Sequence, residues 1–166
     1  MILGMSTAAF TLFHVALSLA GIAAGLLVIF AMITDRLLPV WTALFLAMTV
    51  ATSVTGFMFP VDGLDPPRIV GIISLVVLAV ALFALYGRRL AGAWRPVYVV
   101  TAVLALYLNV FVAVVQSFQK IPLLRVLAPT QSEPPFLVTQ FVVLVLFAAA
   151  GAVAALRFHP SPHAYA

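Results

Sequence analysis

Few side chains in this sequence can do chemistry, and most of them lie inside apolar runs. They are His14, Ser18, Ser53, Asn109, Gln116 and Gln140, with Arg68 and Lys120 at the edges of such runs. An imidazole can ligate a haem, hold a metal, serve as base to a hydroxyl or carry a proton, and spacing tests each role. A bis-histidine haem needs two histidines at membrane depth, but His159 and His163 sit in a tail far from His14. A metal site pairing His14 with Asp62, Asp65 or Glu133 lacks any motif spacing such as H-E-x-x-H. His159 and His163 are four apart, yet Pro160 and Pro162 break a helix there. Ser18 is one turn from His14, without the G-x-S-x-G elbow of a hydrolase. No glycine-rich phosphate loop is present, and the absence of cysteine excludes disulfides, Fe–S clusters and thiolate metal sites. What remains is recognition. The amides and the imidazole can hydrogen-bond a carbonyl or hydroxyl, and Arg68 and Lys120 favour an anionic or carbonyl-bearing group. The expectation is a non-enzymatic protein with no metal, whose candidate ligands are a quinone or a lipid.

The elements that position these residues follow from composition. Of 166 residues, 66% are hydrophobic and 7% charged, with a mean hydropathy of +1.28. Soluble domains are about 45–50% apolar and about 25% charged, so a soluble enzyme, a disordered chain and a nucleic-acid-binding domain are excluded. The net charge of +4 is read through membrane topology instead. Five apolar stretches are long enough to cross a ~30 Å hydrocarbon core. They cover about residues 8–33, 40–59, 69–86, 97–118 and 136–156, and none contains Asp, Glu, Lys or Arg. The fold expected is all-α, one domain of five transmembrane helices over 1–158 and a short tail over 159–166. The first basic residue is Arg36, so the first stretch lacks the charged n-region of a signal peptide and reads as a permanent helix.

Connections alternate between two sides. One side receives Arg36, Arg88, Arg89, Arg95 and Arg157 with the acid Asp35; the other receives Arg68, Lys120 and Arg125 with Asp62, Asp65 and Glu133. Cytoplasmic loops carry the excess of Lys and Arg, which puts the five-arginine side and the C-terminus inside and the N-terminus outside. Trp41, Trp94 and Tyr98 fall near the inner ends of their helices, where an aromatic belt belongs.

Helix faces are patterned. Gly4, Thr7, Thr11, His14, Ser18, Gly21 and Gly25 alternate at spacings of three and four, one face of a helix. Gly21 and Gly25 form a GxxxG step that admits a close neighbour. The second span carries Thr42, Thr49, Ser53, Gly56 and Pro60, and the fourth Ala102, Ala105, Asn109, Ala113, Gln116 and Lys120. Small residues on one face account for helix packing alone. The larger polar groups must point into the bundle, because an unpaired polar group in hydrocarbon costs several kcal/mol. Under the orientation above they gather in the outer half, which predicts an outward-facing pocket closed by the 119–135 loop. The acid-Pro-Pro openings at Asp65 and Glu133 predict acids that cap the third and fifth spans.

The segments WTALFLAMTVATSVTGFMFP (41–60), RIVGIISLVVLAVALFALYG (68–87) and LAPTQSEPPF (127–136), with the His14 helix, resemble a group of small hypothetical bacterial inner-membrane proteins. The resemblance implies a multi-pass inner-membrane location and no activity, cofactor or site residue. Three function classes stay open. One is a protein that binds a lipid, a quinone or a partner subunit through the outer pocket. Another is a small oligomeric transporter or channel with His14 as its proton-sensitive site. The third is a membrane enzyme or an accessory subunit of a membrane redox complex. Expected partners are the lipid bilayer, further copies or other membrane subunits, and no nucleic acid.

Overall fold

The computed structural model describes residues 1–60, 63 and 66–160. Asp62, Asp65 and His163 therefore lie outside the described residues. Six helices follow in chain order: α1 Thr7–Ile33, α2 Pro39–Gly56, α3 Pro66–Leu82, α4 Trp94–Lys120, α5 Pro122–Leu127 and α6 Pro134–Arg157. A π turn, Phe83–Gly87, extends α3. Five of these segments are long and apolar enough to cross a membrane. Such runs become helices because a backbone in hydrocarbon must satisfy its own N–H and C=O groups. No strand occurs among the described residues.

Local chemistry sets the ends. Ser6 caps α1 by accepting the Ala9 amide at 3.2 Å. Gly4 precedes the helix in a left-handed turn, so the α1 stripe begins at Thr7 rather than Gly4. At its other end α1 closes as a Schellman turn: the Arg36 amide reaches Ala31 O at 2.8 Å and the Asp35 amide reaches Met32 O at 3.2 Å. Asp35 takes the left-handed position, φ 56°, that glycine usually fills. The second helix stops at Gly56, three residues before the expected end. Phe57 and Met58 turn back to bond Val54 O and Thr55 O, and Pro60 disfavours helix at Phe59.

Packing centres on α4. It meets α1, α3 and α6, touches α2 and carries α5, while α1 lies against α2, α4 and α6, and α2 against α3. The core is built of Phe45, Leu46, Leu78, Tyr98, Ala102, Ala105 and Leu106, all nearly or fully buried. The GxxxG step seats α1 in the groove between α2 and α4. A Cβ on Gly25 would lie 2.7 Å from Leu106 Cδ1 and 2.8 Å from Phe45 Cδ2.

Two clasps tie the ends. At the end carrying the Arg36, Arg88 and Arg95 loops, Phe158 is fully buried against Tyr98. Arg95 Nη1 donates to Phe158 O at 2.8 Å, and the His159 amide donates to the Asp35 carboxylate at 2.6 Å. At the opposite end the 119–135 loop contains α5 and folds onto α4 and α6 through Phe118, Ala128 and Phe136. Glu133 stands at the N-cap of α6, but its carboxylate does not cap the helix. It turns back to accept the Thr130 amide at 3.1 Å, the Thr130 hydroxyl at 2.8 Å and the Ser132 amide at 3.1 Å. Desolvation pushes this carboxyl up, and the hydrogen bonds from Thr130 and Ser132 together outweigh it, holding its pKa below the usual glutamate value.

Candidate functional site

The polar side chains meet in pairs along a seam where α1 faces α2 and α4. At one end His14, half-buried, places Nδ1 2.8 Å from Thr55 Oγ1. Its ring also meets Phe59 edge-on at 5.3 Å, and Phe59 in turn packs on Phe10 at 5.1 Å. Gly56 leaves room beside the imidazole, since a Cβ there would lie 3.7 Å from His14 Cε1.

One turn along α1, the Ser18 hydroxyl donates to Asn109 Oδ1 at 2.8 Å. Asn109 is 8% exposed, and its Nδ2 has no hydrogen-bond partner among the described residues. That amide nitrogen faces the bare backbone of Gly21. A Cβ on Gly21 would sit 3.4 Å from it and 3.2 Å from Thr49 Oγ1. The Thr49 hydroxyl is spent on its own helix, donating to Phe45 O at 2.8 Å. Ser53 continues the seam toward α3: its hydroxyl donates to Thr49 O at 3.0 Å and reaches Ser74 Oγ at 3.3 Å.

Of the other expected residues, Lys120 lies near enough to His14 for its charge to act on the ring. Gln140, on α6, donates to Phe111 O of α4 at 3.2 Å and leaves its Oε1 buried without a partner among the described residues. Arg68 closes the turn after α2, donating to Phe59 O at 2.9 Å and Gly63 O at 2.6 Å. Gln116 is half-buried and Lys120 exposed, and neither makes a side-chain hydrogen bond among the described residues.

The 119–135 loop is the one expected to close an outward-facing pocket. That loop borders a depression of about 380 Å³ lined by Phe118, Gln119, Arg125, Pro129, Thr130 and Gln131. None of the eight residues singled out from the sequence lines it. The loop covers the ends of α4 and α6 because Gln131 anchors it there, donating to Val115 O at 2.9 Å and accepting from Gln119 at 3.2 Å.

Thr55, Thr49 and Phe59 were not counted as site residues from sequence, although a signal for two of them existed. Antiparallel helices joined by a tight turn bring residues equidistant from that turn together. Gly25 with Phe45, Gly21 with Thr49 and His14 with Thr55 are each about equally far from Asp35. The described residues hold no cluster of three metal-ligating side chains. No family model, curated protein or solved structure matches the chain.

Proposed function

We propose that this chain is a multi-pass protein of a bacterial inner membrane. In this reading the N-terminus is outside, the C-terminus is in the cytoplasm, and a small amphipathic ligand is held at the His14 end of the α1–α2–α4 seam. The observation that carries this reading is His14 itself. It is half-buried, held at one ring nitrogen by Thr55, and its other nitrogen has no hydrogen-bond partner among the described residues. A 27-residue helix at 1.5 Å per residue is about 40 Å long. Centred on a ~30 Å core, it places His14 roughly 6 Å inside the hydrocarbon boundary. A polar group at that depth is a functional-site candidate by default. It is also where the headgroup of a quinone or a lipid would lie.

Binding fits this seam better than transport. Past Gly21 the line of polar groups meets Gly25, packed on by Phe45 and Leu106, and a permeant species would need a route beyond that seal. The orientation rests on the five arginines gathered at the end of the bundle where Phe158 packs on Tyr98.

Native mass spectrometry of protein extracted gently from its own membrane tests the function. A retained non-protein mass that is lost in His14→Phe, with the fold intact, is expected. A bare chain in the wild type refutes the binding reading. The sequence has no cysteine, so single cysteines at Ser132 and His159 test orientation directly. A membrane-impermeant thiol reagent on whole cells should label the first and spare the second.

A further inference from the structure

The hydrogen bonds around Thr55 decide which form of ligand His14 can recognise. Thr55 Oγ1 lies 2.7 Å from Ala51 O and 3.1 Å from Thr52 O. A hydroxyl and a carbonyl oxygen approach that closely only with a hydrogen between them, so the single Thr55 proton is committed to its own helix. Toward His14 Nδ1, 2.8 Å away, Thr55 can then only accept. The proton of the neutral imidazole must sit on Nδ1, and Nε2 carries a lone pair. Nε2 has no hydrogen-bond partner among the described residues, and the ring that carries it is only half-buried. The Lys120 ammonium is near enough for its charge to act on the ring but makes no hydrogen bond to it among the described residues, so the acceptor calls for a donor. Aromatic rings cluster at this end of the seam: Phe59 meets the imidazole edge-on at 5.3 Å, the fully buried Phe10 packs behind Phe59, and Phe13, 45% exposed, packs on Phe10 at 6.4 Å. The accessible parts of Phe59 and Phe13 stack on an aromatic head, which a glycerol headgroup cannot do.

We propose that His14 Nε2 accepts a hydrogen bond from a phenolic hydroxyl, so that the site binds the reduced, quinol form of a lipid-soluble quinone in preference to the oxidised form. This rests on the reading of the seam as a ligand site and specifies its chemistry. A quinone presents two carbonyl acceptors, which face the Nε2 lone pair without a proton between them. A quinol presents the donor. Selectivity by one neutral hydrogen bond corresponds to about three- to tenfold in dissociation constant. Recognition here is a hydrogen bond alone.

The probes are a decyl-substituted benzoquinol, kept reduced under anaerobic conditions, and its quinone, each titrated into the full chain in nanodiscs with 15N-labelled histidine. The quinol should bind about three- to tenfold more tightly and move the Nε2 resonance of His14, leaving Nδ1 protonated. Thr55→Val removes the acceptor that pins the tautomer, frees the proton to move to Nε2, and should erase or reverse the preference. A purely structural Thr55 would not change the order of the two ligands. Equal binding of the two forms, or tighter binding of the quinone with an unmoved Nε2 signal, overturns the inference while leaving a ligand site. A retained phospholipid that neither probe displaces does the same. If neither probe binds and native mass spectrometry finds no retained mass, both the inference and the binding reading fall.

Discussion

Gly25→Ala adds one methyl where α1, α2 and α4 converge, and its cost can be worked from three distances. The new carbon would stand 2.7 and 2.9 Å from the two Leu106 methyls and 2.8 Å from Phe45 Cδ2. Carbon atoms rest at about 3.5–4.0 Å, so these neighbours must retreat by about 0.6–1.3 Å. Neither has room, because Leu106 is 0% and Phe45 1% exposed. Overpacking of this kind costs about 1–3 kcal/mol, and two sealed side chains on two helices place it toward the upper end. Alanine returns up to about 1 kcal/mol in helix propensity, which leaves a net loss of about 1–2 kcal/mol. Gly21→Ala is the internal control. Its nearest neighbour, Thr49 Oγ1, would be 3.2 Å away, so a shift of a few tenths of an ångström suffices and propensity offsets it to within about 0.5 kcal/mol. Equilibrium unfolding in mixed micelles against SDS mole fraction, followed by the fluorescence of Trp41 and Trp94, measures both variants. Stability of Gly25→Ala equal to wild type, or a larger loss for Gly21→Ala than for Gly25→Ala, would show that α1 does not sit in the α2–α4 groove as described.

Other expectations follow from single groups. Asn109→Leu gives up the Ser18 hydrogen bond, about 0.6 kcal/mol for a typical interhelical bond in a membrane. It also removes an unpartnered buried donor costing about 1–3 kcal/mol. The variant should be more stable by about 0.5–2 kcal/mol in the same SDS assay, and a clear destabilisation would mean that Nδ2 is paired. Phe158→Ala empties a fully buried site against Tyr98. It should cost about 3 kcal/mol, and a loss below about 1 kcal/mol would show the clasp to be superficial. Because the folded pKa of Glu133 is depressed, its contribution to the 130–133 turn is complete above the unfolded carboxylate value and lost as pH falls through the folded one. Hydrogen-exchange protection of the Thr130 and Ser132 amides should decay in that window for wild type and show no such step in Glu133→Gln. A flat wild-type profile refutes the assignment.

The five long helices were legible within a few residues, because a bilayer leaves an apolar run no alternative to helix. The glycine face of α1 was legible too, since Gly21 and Gly25 do seat a close contact. Exceptions have local causes. The end of α2 depends on Pro60 and on the turn bonds of Phe57 and Met58. The π turn after α3 depends on the Arg88 amide reaching Phe83 O at 2.8 Å, a register that no residue pattern announces. The side chain of Glu133 matched a capping acid in type and position, yet two amides and a hydroxyl before the helix compete for it and win. For the candidate site, residue types were readable and meetings were not. Partners across helices depend on rotation and on which helices adjoin, and α4 as the hub appears in no local pattern. The α1–α2 register was the readable exception, because one tight turn fixes it.

The packing explanation and the binding explanation of the polar residues can be separated by asking which groups a helix satisfies by itself. Thr49, Thr52, Ser53, Thr55, Thr101, Ser117 and Thr139 all donate to the carbonyl four residues back at 2.7–3.0 Å. Such hydroxyls sit in hydrocarbon at little cost and need no ligand to explain them. Amides and imidazoles have no equivalent local bond, so His14, Asn109 and Gln140 need partners from elsewhere. Asn109 and Gln140 are sealed in the bundle with one atom each unpartnered, a standing cost that a leucine would remove. His14 differs from both. It has a partner that fixes its proton, and it keeps an unbonded nitrogen on a half-exposed ring. A side chain held only for packing would gain from having no polar atom there at all. A preoriented acceptor at that depth costs least when a donor arrives to occupy it, which is why the functional reading rests on one nitrogen of His14 rather than on the eight residues taken together.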